Sequence, residues 1–80
     1  MNLTPDSVAS RADLVAYAYQ LSSQAGAANC ENQTTNRYLE ALSAWANDMD
    51  GFFLNRGQRL DEVPVWNLLA HMLTAALYYE

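Results

Sequence analysis

The sequence has no lysine, and positive charges are few. Its only cations are Arg11, Arg37, Arg56 and Arg59, against nine acidic residues, which gives a formal net charge of −5. A nucleic-acid interface draws its affinity from several clustered cations that neutralise phosphates. The composition therefore argues against direct nucleic-acid binding, and its acidic balance suits a protein partner with a basic surface.

Thiols and imidazoles are equally scarce, since Cys30 is the only cysteine and His71 the only histidine. One cysteine excludes an internal disulfide and suits a reducing compartment. Two such residues are too few for a structural zinc site. The Asp48–Gly51 segment fails as a calcium loop, because Gly57 would then stand where the last ligand, a glutamate, belongs. We expect neither a metal nor a cofactor.

The surroundings of His71 in the sequence hold no catalytic pattern. Its neighbours on a helix, at i±3 and i±4, include no carboxylate that could orient the ring. We therefore interpret His71 as an ordinary surface or boundary histidine. A nucleophilic pair of Cys30 with His71 stays an open alternative because partners can be distant in sequence, yet nothing selects it. No catalytic residue is predicted, and the chain is not expected to be an enzyme.

Long apolar runs are also missing. No stretch approaches the ~20 residues of a membrane span, and no basic start followed by an apolar run marks a signal peptide. With the single cysteine, this favours a cytoplasmic protein without membrane contact. The 80 residues are 51% hydrophobic and 16% charged, a composition that indicates one packed domain over residues 1–80.

The apolar pattern is helical from residue 10 onward, and no alternating strand pattern of useful length occurs. Helix one is predicted over about Ser10–Gln24, with Asp13 in the capping-box position and Gly26 as the stop. Residues 1–9 are expected to form an N-terminal lead-in with weak signals of a helical turn.

Helix two has the clearest amphipathic pattern of the chain. It is predicted to begin near Thr34–Thr35 and to end at Gly51, because glycine reaches positive φ at little steric cost. Trp45 is expected to be its largest contribution to the core. Phe52–Leu54 would then form a short turn that folds the two phenylalanines back onto Trp45 and Trp66.

Helix three is predicted over about Val65–Tyr79 and is apolar on two faces. The first face comprises Trp66, Leu69, Ala70, Leu73, Ala76 and Leu77, and the second stripe comprises Leu68, Met72, Ala75 and Tyr79. Such a helix is either central in a bundle or half covered by another molecule, and the small number of competing elements favours the central position. The sequence thus predicts an all-α fold, a small bundle of three main helices plus a short helical turn after Gly51.

Aromatic residues are numerous for so small a domain, and adjacent aromatic residues cannot all point inward from one helix. One member of the pair Tyr78–Tyr79 is therefore expected to be partly exposed, where tyrosine is a common binding anchor. The candidate partner surface comprises Tyr78, Tyr79, Met72, Asp61 and Glu62. The two acids adjoin Arg56 and Arg59 in sequence, a mixed charge cluster that would aid orientation more than affinity.

A WxxDxDGFFxNxG run begins at Trp45 and ends at Gly57. Further residues that contribute to the same pattern are Asp13–Val15, Tyr38–Leu42, Pro64, Trp66, Leu69–Ala70, Leu73, Ala75–Ala76 and Tyr79–Glu80. Together they resemble a family of small uncharacterised bacterial proteins, a domain of unknown function, over about Ser10–Glu80. The sequence departs from that pattern at Val65, where a serine cap is expected, and around Cys30. The resemblance implies a self-contained helical domain and supplies no activity.

Three functions stay open at this point. The leading hypothesis is a non-catalytic protein-binding module, a small acidic inhibitor or immunity-type protein that blocks a surface. The second is a structural homodimer or subunit that uses the second stripe of helix three. The third is an enzyme whose site has no recognisable motif.

The helix-two pattern predicts the effect of removing its largest side chain. Trp45→Ala is expected to lower the free energy of unfolding by about 3–5 kcal/mol, as for a buried aromatic residue. Urea denaturation measures the change. A loss below about 1 kcal/mol would mean that Trp45 is exposed and that the predicted buried face of helix two is wrong.

Overall fold

The computed structural model describes residues 3–27 and 34–79, without the side chains of residues 25–27. In chain order the elements are the N-terminal turn (Pro5–Ser7), α1 (Arg11–Ala27), α2 (Thr35–Asn55), the connecting turn (Leu60–Glu62) and α3 (Val65–Tyr78). Both turns are single 3-10 turns, and the two described ranges contain no strand. The predicted all-α bundle of three main helices is therefore confirmed. The separate helical turn predicted at Phe52–Leu54 is wrong, because these residues continue α2, and the late turn lies at Leu60–Glu62.

α3 is the central helix of the bundle. It packs against α2, against α1 and against the N-terminal turn. Its first apolar face lies in a core cluster with α1, and all four residues of the second stripe pack on a separate core cluster with α2. Both apolar faces thus pack within the chain, although the four residues of the second stripe are only partly buried.

The first core cluster joins the N-terminal turn, α1 and α3. Its buried members are Val8, Tyr17, Leu21, Ala70 and Leu77. Two hydroxyls fasten the helices around it: the Oη of Tyr17 lies 2.6 Å from the Oγ1 of Thr74, and the Oη of Tyr38 donates to the carbonyl of Leu73 at 2.8 Å. Burial raises the pKa of Tyr38. Each buried hydroxyl therefore has a partner, as burial of a polar group requires.

The second core cluster is built on Trp45, Phe53 and Val63. The rings of Phe52 and Phe53 meet the Trp45 ring edge-on, with centroids 5.5 and 6.2 Å apart. The prediction that Trp45 is buried and meets the two phenylalanines is confirmed. The expected contact with Trp66 is wrong, because Trp66 packs against the first core cluster on the other face of α3.

The start of α1 follows the predicted cap with one shift. The backbone N–H of Asp13 donates to the Oγ of Ser10 at 3.1 Å, which satisfies one of the free donors of the first turn. The Asp13 carboxylate accepts from the backbone N–H of Ala9 at 3.1 Å, one residue before the expected donor. At the other end the helix runs through Gly26 to Ala27, so the predicted stop is wrong.

Gly51 is also not a stop. α2 continues through it to Asn55, and the one glycine at positive φ in the described chain is Gly57, at φ 76°. The N–H of Gly57 donates to the carbonyl of Leu54 and that of Gln58 to the carbonyl of Phe53, both at 2.9 Å. This pair of bonds is a Schellman motif. The Asp50-Gly51 sequence looks like a helix end, but the residue with the required φ stands six positions later.

These two glycines predict opposite effects of alanine. Gly51→Ala is expected to stabilise the fold by about 0.5–1 kcal/mol, because glycine is a poor residue inside a helix. An added Cβ there meets no atom within 4 Å. Gly57→Ala serves as the matched variant and is expected to destabilise by about 1 kcal/mol, since alanine is strained at positive φ. Thermal unfolding measures both, and a lower melting temperature for Gly51→Ala would contradict the helical placement.

Candidate functional site

A cluster of three polar side chains joins parts of the chain that are far apart in sequence. It comprises Asp6, Arg56 and His71, from the N-terminal turn, the end of α2 and the middle of α3, and it is called the polar cluster below. The Oδ1 of Asp6 lies 2.9 Å from the Nε2 of His71. The Oδ2 of Asp6 accepts from the Nη2 of Arg56 at 2.8 Å. One carboxylate therefore bridges two cationic or potentially cationic groups.

The carboxylate decides where the imidazole proton lies. An ionised Asp6 can only accept, so the Nε2 of His71 donates to it. The Nη1 of Arg56 also lies 3.2 Å from Nε2, but two donors face each other there, and this approach is a contact and not a hydrogen bond. Asp6 therefore holds the pair together, because the arginine and the histidine have no attraction of their own.

Aromatic rings enclose the imidazole. The centroid of the His71 ring lies 5.4 Å from that of Phe52 and 5.5 Å from that of Phe53. The guanidinium carbon of Arg56 stands 5.4 Å from the centroid of the Phe52 ring, within the range of a cation–π contact. His71 is only 9% exposed. Phe53 thus belongs to the second core cluster and, together with Phe52, forms one wall of the polar cluster.

His71 was interpreted from the sequence as a surface or boundary histidine without an orienting carboxylate, and that interpretation is wrong. The ring is buried, and its carboxylate comes from a residue 65 positions away. Neighbours at i±3 and i±4 could not reveal such a partner. The only signal was a turn-forming Pro5-Asp6 pair, and that pair carries no information on where the turn docks.

The environment of Asp6 favours its ionised form. The hydrogen bond from His71, with the bond and charge of Arg56, holds the pKa of the Asp6 carboxyl below its ordinary value, although burial opposes part of this shift. Its side chain remains 57% exposed. The bridge is therefore a half-exposed clip, of modest energy, between the N-terminal turn and the helices.

The chemistry available at the polar cluster is limited in the described part of the chain. Asp6 orients the imidazole as a carboxylate does in acid–base sites, but no hydroxyl or thiol among residues 3–24 and 34–79 is hydrogen-bonded to His71. Cys30, the other half of the open nucleophilic pair, lies outside the described residues. No group of three potential metal ligands occurs among the described residues.

The predicted partner surface divides into two places. Asp61 and Glu62 lie exposed in the connecting turn. The Asp61 carboxylate lies 3.5 Å from the Nε of Arg59, and the Glu62 carboxylate accepts from the Arg59 backbone N–H at 3.3 Å. Arg56, which was expected in this mixed charge cluster, turns instead to Asp6. What remains is a solvated pair of little energetic weight.

The other residues of that surface lie on α3 and just beyond its end. Tyr78 is 49% exposed, which confirms that one tyrosine of the pair stands partly in solvent. Tyr79 packs on the second core cluster and donates its hydroxyl to the Oδ2 of Asp48 at 3.0 Å, and this bond raises the pKa of Tyr79. Met72 is partly buried in the same cluster. Asp48, Tyr78 and Tyr79 are called the tyrosine edge below.

Fold and site together define a small all-α domain in which a carboxylate from before the first helix meets an aromatic-lined histidine. The chain belongs to a family of unknown function, DUF7660, whose sequence model matches residues 10–80. The resemblance to a family of unknown function over that region is confirmed. Arg56 and His71 lie inside the matched region, and Asp6 precedes it. No match to the chain was found among curated proteins or among solved structures.

Among residues 3–27 and 34–79, no helix is both long enough and apolar enough to cross a membrane.

The lowered pKa of Asp6 predicts a pH-dependent loss in the variant Asp6→Asn. Because the folded pKa lies below the unfolded value of about 3.9, the clip stabilises the fold above that value and is lost as the pH falls through the folded pKa. The variant is expected to lose up to about 1 kcal/mol near pH 6 and less near pH 3. Urea denaturation at both pH values measures this.

Asp61→Asn is the matched control, because its carboxylate pairs with an arginine in solvent. It is expected to change the free energy of unfolding by no more than about 0.5 kcal/mol. An equal loss for Asp6→Asn at the two pH values would contradict the clip.

Proposed function

We propose that this protein is a non-catalytic protein-binding module, a small acidic inhibitor or immunity-type protein that acts by covering a partner's surface. The observation that carries the proposal is the tyrosine edge. There a half-exposed tyrosine stands beside a second tyrosine that is fastened to a carboxylate.

Tyr79 already has contacts within the chain before any partner arrives. The Tyr79 ring packs on the second core cluster, and its hydroxyl is held by Asp48 on α2. Ordering flexible side chains is a large part of the cost of association, and a fixed aromatic residue avoids that cost. The neighbouring Tyr78 offers the large amphipathic surface that is typical of interface anchors.

The charge of the edge indicates the kind of partner. Asp48 contributes a carboxylate bonded to the Tyr79 hydroxyl, and the whole chain carries a net charge of −5. An arginine or lysine of a partner can meet the carboxylate and stack on an exposed ring. A basic protein surface is therefore the expected partner, with electrostatic attraction that speeds encounter. The single cysteine supports action in the cytoplasm.

The homodimer alternative has less open surface than it required. It required the second stripe of α3 to be open to another copy, and the four residues of the stripe are partly buried against the second core cluster. The enzyme alternative gains an oriented histidine from the polar cluster but no bonded nucleophile in the described chain. Neither the homodimer nor the enzyme is therefore favoured over a binding module.

The proposal predicts that a natural partner depends on the tyrosine edge. The full chain, with a crosslinker, captures the partner, and calorimetry with the purified partner then compares variants. Tyr78→Ala is expected to weaken binding by at least about tenfold, the loss of one anchor. Asp48→Asn is expected to weaken it less, and more at low salt than at high salt.

Tyr19→Ala is the matched control, because Tyr19 is 76% exposed on α1 and belongs to another surface. It is expected to leave the affinity unchanged. A partner that binds Tyr78→Ala as tightly as the unaltered chain, or that is equally sensitive to Tyr19→Ala, would contradict this placement of the interface.

A further inference from the structure

Residues 3–8, called the N-terminal segment below, dock on the helices as a bound peptide would. The segment lies against α1 and α3 and meets the end of α2 through Asp6. It is held by two kinds of contact, one to its backbone and one to its side chains. The contacts to its backbone could be made by a segment of another sequence, whereas the contacts to its side chains require these residue types.

Two side-chain amides hold the backbone at its two ends. The Oε1 of Gln20 accepts from the N–H of Leu3 at 3.0 Å, and the Nε2 of Gln20 donates to the Leu3 carbonyl at 2.9 Å. At the other end, the Nδ2 of Asn67 donates to the carbonyl of Val8 at 2.6 Å. Main-chain capture of this kind provides affinity in peptide recognition, and side-chain pockets provide specificity.

Three side chains of the segment contact the helices: Leu3 packs against the first core cluster, and Asp6 and Val8 make the most specific contacts. Val8 is fully buried, at 0% exposure, in the first core cluster beside Ala70. The carboxylate of Asp6 is held by Arg56 and by His71 at 2.8 and 2.9 Å. The surface thus selects a carboxylate two residues before a small branched aliphatic side chain.

The side chains that hydrogen-bond to the segment all lie within residues 10–80, the region matched by the family model, and the segment lies before that region. Gln20, Arg56, Asn67 and His71 lie within residues 10–80, whereas Asp6 and Val8 precede the match. In this chain both donors to the Asp6 carboxylate therefore lie within the matched region, and the carboxylate itself lies before it.

We infer that α1, α3 and the end of α2 form a peptide-recognition site for a partner segment with an acidic residue two positions before a valine-sized aliphatic residue. The N-terminal segment is its occupant in cis. A segment tethered to its site has an effective concentration of the order of millimolar, so a partner segment binds in trans only by outcompeting it.

This site is independent of the tyrosine edge. His71 and Tyr79 are eight positions apart on and just after α3, about 12 Å along the helix axis. The peptide site and the proposed module can therefore fail separately, since the first is tested with a defined peptide and the second with a captured partner.

The test uses the full chain with a weakened N-terminal segment, Asp6→Ala/Val8→Ala, and a fluorescent peptide of residues 2–10. Fluorescence anisotropy is expected to show saturable binding to this variant, at least about tenfold tighter than to the unaltered chain, because competition in cis is reduced. The same peptide with Asn in place of Asp6 is expected to bind the variant more weakly, by up to about fivefold, since it lacks the charge.

The matched control is Asp61→Asn/Val15→Ala, which alters an exposed acid and an exposed valine elsewhere. It is expected to bind the peptide as weakly as the unaltered chain. Circular dichroism checks folding. If the weakened variant is unfolded, Asp6→Asn alone, which keeps Val8 in the core, replaces it, and the peptide is then expected to bind up to about fivefold more tightly than to the unaltered chain.

Equal weak binding to all variants, or binding that does not depend on the peptide's aspartate, would overturn the inference and leave the segment as an ordinary part of the fold. A dimer of the unaltered chain that the free peptide dissociates would assign the site to a second copy, and would overturn the choice of a separate partner.

Discussion

The burial of α3 on both of its apolar faces is the constraint on which the rest of the structure depends. A helix of 14 residues cannot leave two apolar stripes in water, so the chain must supply cover for each. α2 covers one stripe with Trp45 and Phe53, and α1 with the N-terminal turn covers the other. The result is two core clusters on either side of one helix, and every other element is arranged around them.

The polar cluster lies where these two sides meet. His71 is on α3, the phenylalanines beside it belong to the α2 side, and Asp6 arrives with the N-terminal turn of the α1 side. A buried imidazole needs a partner for its N–H, because an unsatisfied donor costs more than the bond returns. Asp6 meets that need and neutralises Arg56 at the same time. The hydrogen bonds of Asp6 with His71 and Arg56 thus satisfy the buried imidazole and also hold a carboxylate at this position.

Membership in a family of unknown function leaves the activity to physical argument. Two surfaces carry that argument at different places. At the tyrosine edge the Tyr79 hydroxyl is bonded to the Asp48 carboxylate. Where the N-terminal segment docks, Arg56 and His71 are bonded to the Asp6 carboxylate, and Val8 is buried in the first core cluster. Their charge preferences are opposite, so we expect them to recognise different chemical groups.

The sequence by itself determined the helices and the two faces of α3, because apolar spacing is a local property that the 3.6-residue period reads directly. It misplaced the end of α2 at Gly51, since glycine permits a positive φ without requiring one, and only Gly57 adopts it. It missed the partner of His71, which comes from the other end of the chain. Contacts between residues so far apart in sequence depend on how the helices pack. Only the tertiary structure therefore decided the polar cluster and the position at which the N-terminal segment docks.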